Sequence, residues 1–186
     1  MIKTYISKEL ETKRLILKQG TEDDYVKIFE YNLTKLNNVN GVFCYEKFDS
    51  NEIRSWFKPN MNEYYKKLEK KHTFNWAIFL KQNNIPIGDI MVDRENLENL
   101  EAEFSVNLHP TYWGNGYMKE AIESVVNYLF SIGYKRLIYG YYEGNVKSKK
   151  LVEKMNFKLY KVEKSDIVDG NDEPLNKYYY VIINEY

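Results

Sequence analysis

Cysteine and histidine are nearly missing from this chain, and each shortage excludes a chemistry. A single cysteine, Cys44, cannot close an internal disulfide, so a reducing, cytoplasmic setting is expected, with Cys44 packed as a small apolar residue. The only histidines, His72 and His109, sit in contexts that read as structural, and no metal cluster can be assembled from them. Net charge is lacking as well. The 27 basic and 27 acidic side chains cancel, which leaves no electrostatic case for nucleic acid or an anionic membrane surface. No apolar run reaches the length of a membrane span. Met1-Ile2-Lys3-Thr4-Tyr5 leads into charges, so no secretory signal is expected.

What is present describes one globular domain over residues 1–186, at 44% hydrophobic content and without repeats or linkers. Its most informative stretch is Trp113-Gly114-Asn115-Gly116-Tyr117-Met118. These residues follow a predicted strand, Glu101 to Leu108, and a His109-Pro110 turn. They open a helix in which apolar pairs recur every four positions: Tyr117/Met118, Ala121/Ile122, Val125/Val126 and Leu129/Phe130. Gly133 stands where a left-handed cap ends such a helix. A strand, a glycine loop and a helix start make an anion site, because the first helical N–H groups have no intrahelical partner and glycine lets a phosphate approach. The dinucleotide fingerprint fails here, since Lys119 occupies its third glycine position, and no phosphate loop of the Gly-x-x-x-x-Gly-Lys-Ser/Thr type exists.

The rest of the chain reads as a mixed α/β layout with one central sheet. Leu10 to Lys18 is expected as the first strand. Thr21 caps a helix carrying Tyr25, Ile28 and Phe29 on its apolar stripe. Asp49 with Glu52 starts a second helix with Ile53, Trp56 and Phe57 inward, and a third runs from Met61 to Lys71. Phe74 to Leu80 and Ile85 to Val92 form a hairpin about Gln82-Asn83-Asn84, and Glu101 to Leu108 extends the antiparallel meander. Arg136 to Tyr142 is a strand; Asn145 caps a short helix reaching Met155, and Asn156 suits a left-handed helix end. Phe157 to Glu163 and Lys177 to Ile183 close the sheet around an Asp169-Gly170-Asn171-Asp172 turn.

Three blocks carry a resemblance. The loop Trp113-Gly114-Asn115-Gly116-Tyr117-Met118-Lys119-Glu120-Ala121 resembles the pyrophosphate loop of the GNAT acetyltransferase superfamily, in the form used by its RimJ/RimL-like branch. Trp113 replaces the superfamily's Arg/Gln and Met118 its final small residue. Glu11-Thr12-Lys13-Arg14-Leu15 is similar to that branch's first strand. Asn145-x-x-Ser148-x-x-x-x-Glu153-Lys154-x-x-Phe157 matches a further block, with Asn156 at its usual glycine.

The resemblance implies a single, mostly antiparallel sheet with helices on both faces. A splayed strand pair in that sheet holds acetyl-CoA. It implies an enzyme that moves acetyl to a primary amine: a protein N-terminus, a polyamine, an aminoglycoside or another small amine. Backbone at Val106, Asn107 and Leu108 is implied to hold the pantetheine arm, Trp113 to Met118 the pyrophosphate, and Asn145, at the start of the following helix, is implied to bind acetyl-CoA as well. Glu103 stands where relatives place a polar residue near the acceptor; a base and a solvated strand face are equally open readings. Where many relatives carry a catalytic tyrosine, this chain has Val152; Ser148 is the nearest replacement, or an ordinary hydroxyl of a first helical turn. Lys147, Lys149 and Lys150 suit either the ribose phosphate or solvent. The alternative function is a non-catalytic CoA-binding regulatory protein of the same fold. A homodimer is compatible with the sequence, and neither nucleic acid nor membrane is expected as a partner.

Overall fold

In the computed structural model, residues 7–29, 50–58, 60–71, 73–96, 98–168 and 173–185 are described. Cys44, His72, the expected cap at Asp49 and the expected turn at residues 169–172 lie outside them. Among the described residues, eight strands form one sheet: β1 (Leu10–Glu11), β2 (Leu15–Lys18), β3 (Phe74–Leu80), β4 (Pro86–Asn96), β5 (Glu101–Leu108), β6 (Arg136–Tyr142), β7 (Lys158–Val168) and β8 (Pro174–Ile183). Their order is β1-β2-β3-β4-β5-β6-β8-β7. Neighbours are antiparallel except β5 and β6.

The stretch expected as one first strand is two. Leu10 lies opposite Leu17, and Glu11 opposite Ile16. Thr12 causes the reversal: its Oγ1 accepts from the Leu15 N–H at 2.9 Å while its own N–H donates to the Leu15 carbonyl at 3.0 Å. A threonine bonding its own backbone three residues on competes with strand extension. The meander strands and β6 fall where the sequence places them, although β4 continues past Val92 to Asn96.

The helices are α1 (Glu22–Phe29), α2 (Ser50–Ser55), α3 (Met61–Lys70), α4 (Tyr117–Ile132) and α5 (Val146–Lys154). Helix α1 starts on a reciprocal cap: Thr21 Oγ1 accepts from the Asp24 N–H at 3.2 Å, and Asp24 Oδ2 accepts from the Thr21 N–H at 2.9 Å. Helix α4 packs Ala121, Ile122, Val125 and Leu129 onto Leu15, Trp76, Ile90 and Phe104. On the opposite face, Tyr25, Ile28, Ile53 and Phe57 cover Ala77 and Phe79. Strand β3 is therefore buried throughout, its even-numbered polar-free face toward α4 and its odd-numbered residues Ala77 and Phe79 toward α1 and α2. Each large side chain so buried contributes ~1.5–3 kcal/mol. Asn156 ends α5 with φ +58°, the left-handed conformation expected of it. Among the described residues no helix is long and apolar enough to cross a membrane.

Candidate active site

Strands β5 and β6 run side by side for only four residue pairs, from Glu101 opposite Arg136 to Phe104 opposite Tyr139. Beyond that point β5 continues with β4, Val106 facing Ile90 and Leu108 facing Gly88. Strand β6 turns instead to β8, with Gly140 facing Tyr179. A wedge opens between them. The His109 N–H donates to the Ile87 carbonyl at 2.8 Å, toward β4. Backbone direction alternates along a strand, so Val106 and Leu108 aim their N–H groups into the wedge. Asn107 does not: its backbone faces β4, and its side-chain Nδ2 donates to Asp89 Oδ1 at 3.0 Å.

At the wide end of the wedge stands the glycine loop. Gly114 and Gly116 have φ of +81° and +77°, which ordinary side chains rarely adopt, and no atom lies within 4 Å of where a Gly114 side chain would begin. Trp113 Nε1 donates to the Leu108 carbonyl at 2.6 Å and so fastens the loop to the end of β5. Asn115 Nδ2 donates to the carbonyls of Tyr112 and Trp113 at 3.2 and 3.1 Å. The first helical bond of α4 is from Glu120 N–H to Gly116 carbonyl, and Gly116 offers no side-chain cap. The N–H groups of Tyr117, Met118 and Lys119 therefore remain directed out of the helix start. The Met118 side chain is buried and anchors that turn in the core. Lys147 Nζ rests 3.2 Å from the centre of the Trp113 ring, and burial lowers its pKa.

Arg14 braces the loop from the far side of the helix. Its Nη1 donates to the Asn115 carbonyl at 3.0 Å, its Nε meets Glu120 Oε2 at 2.7 Å, and its N–H reaches Glu120 Oε1 at 2.8 Å. Thr12 Oγ1 donates to the same carboxylate at 2.6 Å. Burial pushes the Glu120 pKa up, but the Thr12 and Arg14 hydrogen bonds outweigh it and hold the group below the usual carboxylate value. A carboxylate one turn into α4 is thus neutralised where it would otherwise oppose an anion.

Two groups of polar side chains flank the wedge on opposite faces of the sheet. On the α5 face, Ser148 is buried and its N–H is capped by Asn145 Oδ1 at 3.0 Å. The Ser148 hydroxyl lies 2.9 Å from that of Tyr139, the last β6 residue paired with β5, whose ring stacks on Phe104 at 5.2 Å. Val152 is buried in the same core. Tyr139 escaped the sequence reading because an aromatic in a strand reads as packing.

On the α1 face, Glu103 Oε1 lies 3.5 Å from Lys177 Nζ. Burial lowers the Lys177 pKa, but Tyr179 and Glu103 together raise it above the ordinary lysine value. Glu103 sits beside the paired part of β5 and β6, opposite Asp93 on β4. Asp89, four residues along β4 or roughly 13 Å away at 3.3 Å per residue, is opposite Asn107 and beside the wedge. Asp89 is 4% exposed and lines a cavity of about 180 Å³ walled by Tyr25, Phe29, Trp56, Phe57 and Tyr64. Burial raises its pKa to about 7, against the lowering effect of the Asn107 hydrogen bond. Nothing in Gly88-Asp89-Ile90 marks this aspartate as buried until α1 and α2 cover the face.

Comparison with known proteins places the chain in a family. Residues 14–158 match the family described as Acetyltransferase (GNAT) domain. An uncharacterised N-acetyltransferase of Bacillus subtilis, YoaA, is 30% identical over 149 residues, which are 80% of this chain and 81% of that protein. A GNAT-family acetyltransferase structure from Bacillus anthracis shares the fold at TM-score 0.74 and 23% identity, over 96% of this chain and 100% of that one. RimL, a ribosomal L7/L12 alpha-N-protein acetyltransferase solved with coenzyme A, shares it at TM-score 0.75 and 15% identity, over 95% and 98%.

Proposed function

The chain belongs to the GNAT acetyltransferase family and is an acetyl-CoA-dependent acyltransferase, and from that premise we propose that it acetylates a primary amine within a ternary complex at the β5–β6 wedge. One observation carries the reading. The β5–β6 ladder stops at Phe104 and Tyr139, and the open glycine loop stands at the far end of the same strand. The backbone N–H of Leu108 suits an amide carbonyl of the pantetheine arm. The loop from Trp113 to Met118, with open space over Gly114, suits the pyrophosphate. Acetyl-CoA supplies an activated thioester; this chain binds it, orients it and manages the protons.

The Val106 N–H is placed to donate to the thioester oxygen as that oxygen gains charge. The Ser148–Tyr139 hydroxyl pair serves the departing sulfur from the α5 face. Asn145 holds Ser148 in place by capping α5. The acceptor reaches the wedge from the α1 face. Glu103, the carboxylate first suggested by the strand pattern, lies on that face in the Lys177 ion pair.

Thiol release from acetyl-CoA across a panel of primary amines, with acetyl-CoA affinity measured separately by calorimetry, tests this reading. Saturable, amine-dependent release is expected. Binding without release for every amine would leave a CoA-binding protein and overturn the catalytic reading.

A further inference from the structure

A buried carboxylate, Asp89, lines an aromatic cavity on the α1 face of the sheet. Asp89 is at the cavity floor, and Asn107 Nδ2, donating at 3.0 Å, fixes the direction of its carboxylate. Asn107 is the strand neighbour of Val106, so the carboxylate and the wedge are adjacent across one peptide. The walls are aromatic: the rings of Tyr25 and Phe57 are 4.8 Å apart, those of Phe57 and Tyr64 also 4.8 Å, and Phe29 meets Trp56 edge-on at 5.5 Å. Trp56, 38% exposed, stands toward solvent.

Among the described residues, the polar groups that line the cavity besides Asp89 are Tyr25, Tyr64, Asn75, Ser105 and Asn107. Tyr25 on α1 donates to Asn75 on β3 and pairs with the Tyr65 hydroxyl of α3 at 3.1 Å. Tyr64 completes the α3 side, and Asn107 faces it from β5. Burial raises the pKa of Tyr25, Tyr64 and Tyr65, so all three stay neutral. Asp89 is then the only acid lining the cavity among the described residues.

Aromatic faces attract a cation, and a buried carboxylate pairs with one. A second positive charge would be stranded in apolar surroundings. We propose that Asp89 accepts a proton from the acceptor's ammonium, and that the cavity selects a primary amine carrying one positive charge on an apolar body. This deepens the acetyl-transfer reading and rests on it.

The protons balance. R–NH3⁺ gives one proton to the Asp89 carboxylate, which later passes it to solvent. The neutral nitrogen then forms the N–C bond to the acetyl carbon as the C–S bond breaks. The second proton shed by nitrogen ends on the CoA sulfur. The products are the acetamide, CoA thiol and one proton to solvent.

The test uses the full chain with acetyl-CoA and two probes, 2-phenylethylamine and spermidine. Expected are a kcat/KM at least about tenfold higher for 2-phenylethylamine, and a log kcat/KM that climbs with pH and levels off above about 7, where Asp89 is ionised. Asp89→Asn keeps the oxygen that Asn107 binds; it should lower kcat/KM ~10²–10⁴-fold and remove the rising limb, with acetyl-CoA affinity intact. Trp56→Ala should raise KM for 2-phenylethylamine and leave the inflection in place. An Asp89→Asn protein that binds acetyl-CoA and keeps both rate and inflection overturns the base. A preference for spermidine, or no turnover of 2-phenylethylamine, overturns the substrate class. Loss of acetyl-CoA binding by the unsubstituted protein would instead overturn the acetyl-transfer reading itself.

Discussion

The hydroxyls of Tyr139 and Ser148 stand 2.9 Å apart at the point where β5 and β6 separate, one from the strand and one from the helix that follows it. One hydroxyl donates to the other, which leaves a single proton to offer a departing thiolate. A free thiol has a pKa of ~8.5, so its expulsion at neutral pH needs a hydrogen bond more than a strong acid. Removing either hydroxyl should therefore lower kcat about tenfold to a hundredfold, the worth of one hydrogen bond to a charged group at ~1.5–3 kcal/mol. Ser148→Ala combined with Tyr139→Phe should cost little more than either alone, because the pair acts as one relay. Thiol release under saturating acetyl-CoA measures all three; additive losses would show two independent roles.

Gly116 supplies the second prediction. With φ +77°, any side chain there strains the backbone by roughly 1–2 kcal/mol, yet only Arg14 approaches the position, at 3.6 Å. Gly116→Gln and Gly116→Glu should thus lose similar stability. If a pyrophosphate occupies the helix start, Glu adds a repelling charge, and its acetyl-CoA affinity should fall well below that of the Gln protein. Equal affinities by calorimetry would move the anion elsewhere.

Glu120 makes stability sensitive to acid. Its folded pKa is depressed below the ordinary carboxylate value, so its contribution is complete above the unfolded pKa and is lost as pH falls through the folded one. Below about pH 4.5 the free energy of unfolding should decline, and part of that decline should vanish in Glu120→Gln. Urea titrations across that range check it. The Gln protein should also be less stable at neutral pH, since Arg14 loses its ionic partner.

Tyr25 tests the buried polar chain on the opposite face. Tyr25→Phe leaves the Asn75 side-chain oxygen without its tyrosine donor inside the protein. The cost should be ~1–3 kcal/mol, against near zero if water entered to replace the hydroxyl. Chemical denaturation distinguishes the two.

Much of this site is visible in the chain before folding because backbone geometry leaves marks. Gly114, Gly116 and Gly133 all have positive φ, and Asn156 takes the left-handed turn that its place after α5 demands. The Asn145 cap, too, follows from local chemistry. Side chains whose role depends on distant cover leave no such mark. Asp89 interrupts an apolar strand as a solvent-facing acid would, and only α1 and α2 reverse its environment. Arg14 and Glu120 are 106 positions apart, so neither announces the other. Thr12, read as part of a continuous strand, turns the chain through bonds that strand periodicity does not register.

Among the described residues, the four pairs between Glu101–Phe104 and Arg136–Tyr139, with the Lys135 and Arg136 N–H groups donating to the Leu100 carbonyl, form the sheet seam that joins the first five strands to the last three. A short ladder is held by few backbone bonds and opens locally at a lower free-energy cost. Under the proposed reading, the pantetheine arm supplies amide partners where the ladder stops, so the donor acts as a temporary ninth strand. Folding and loading then share one free energy: at a hundred times its Kd, acetyl-CoA should add ~2.7 kcal/mol to the stability of the whole chain. The amide protons of Val106 and Leu108, quick to exchange in the free enzyme, should become slow in the complex. A cell short of acetyl-CoA would hold this enzyme in its less durable form, so its lifetime against proteases would follow the supply of its own substrate.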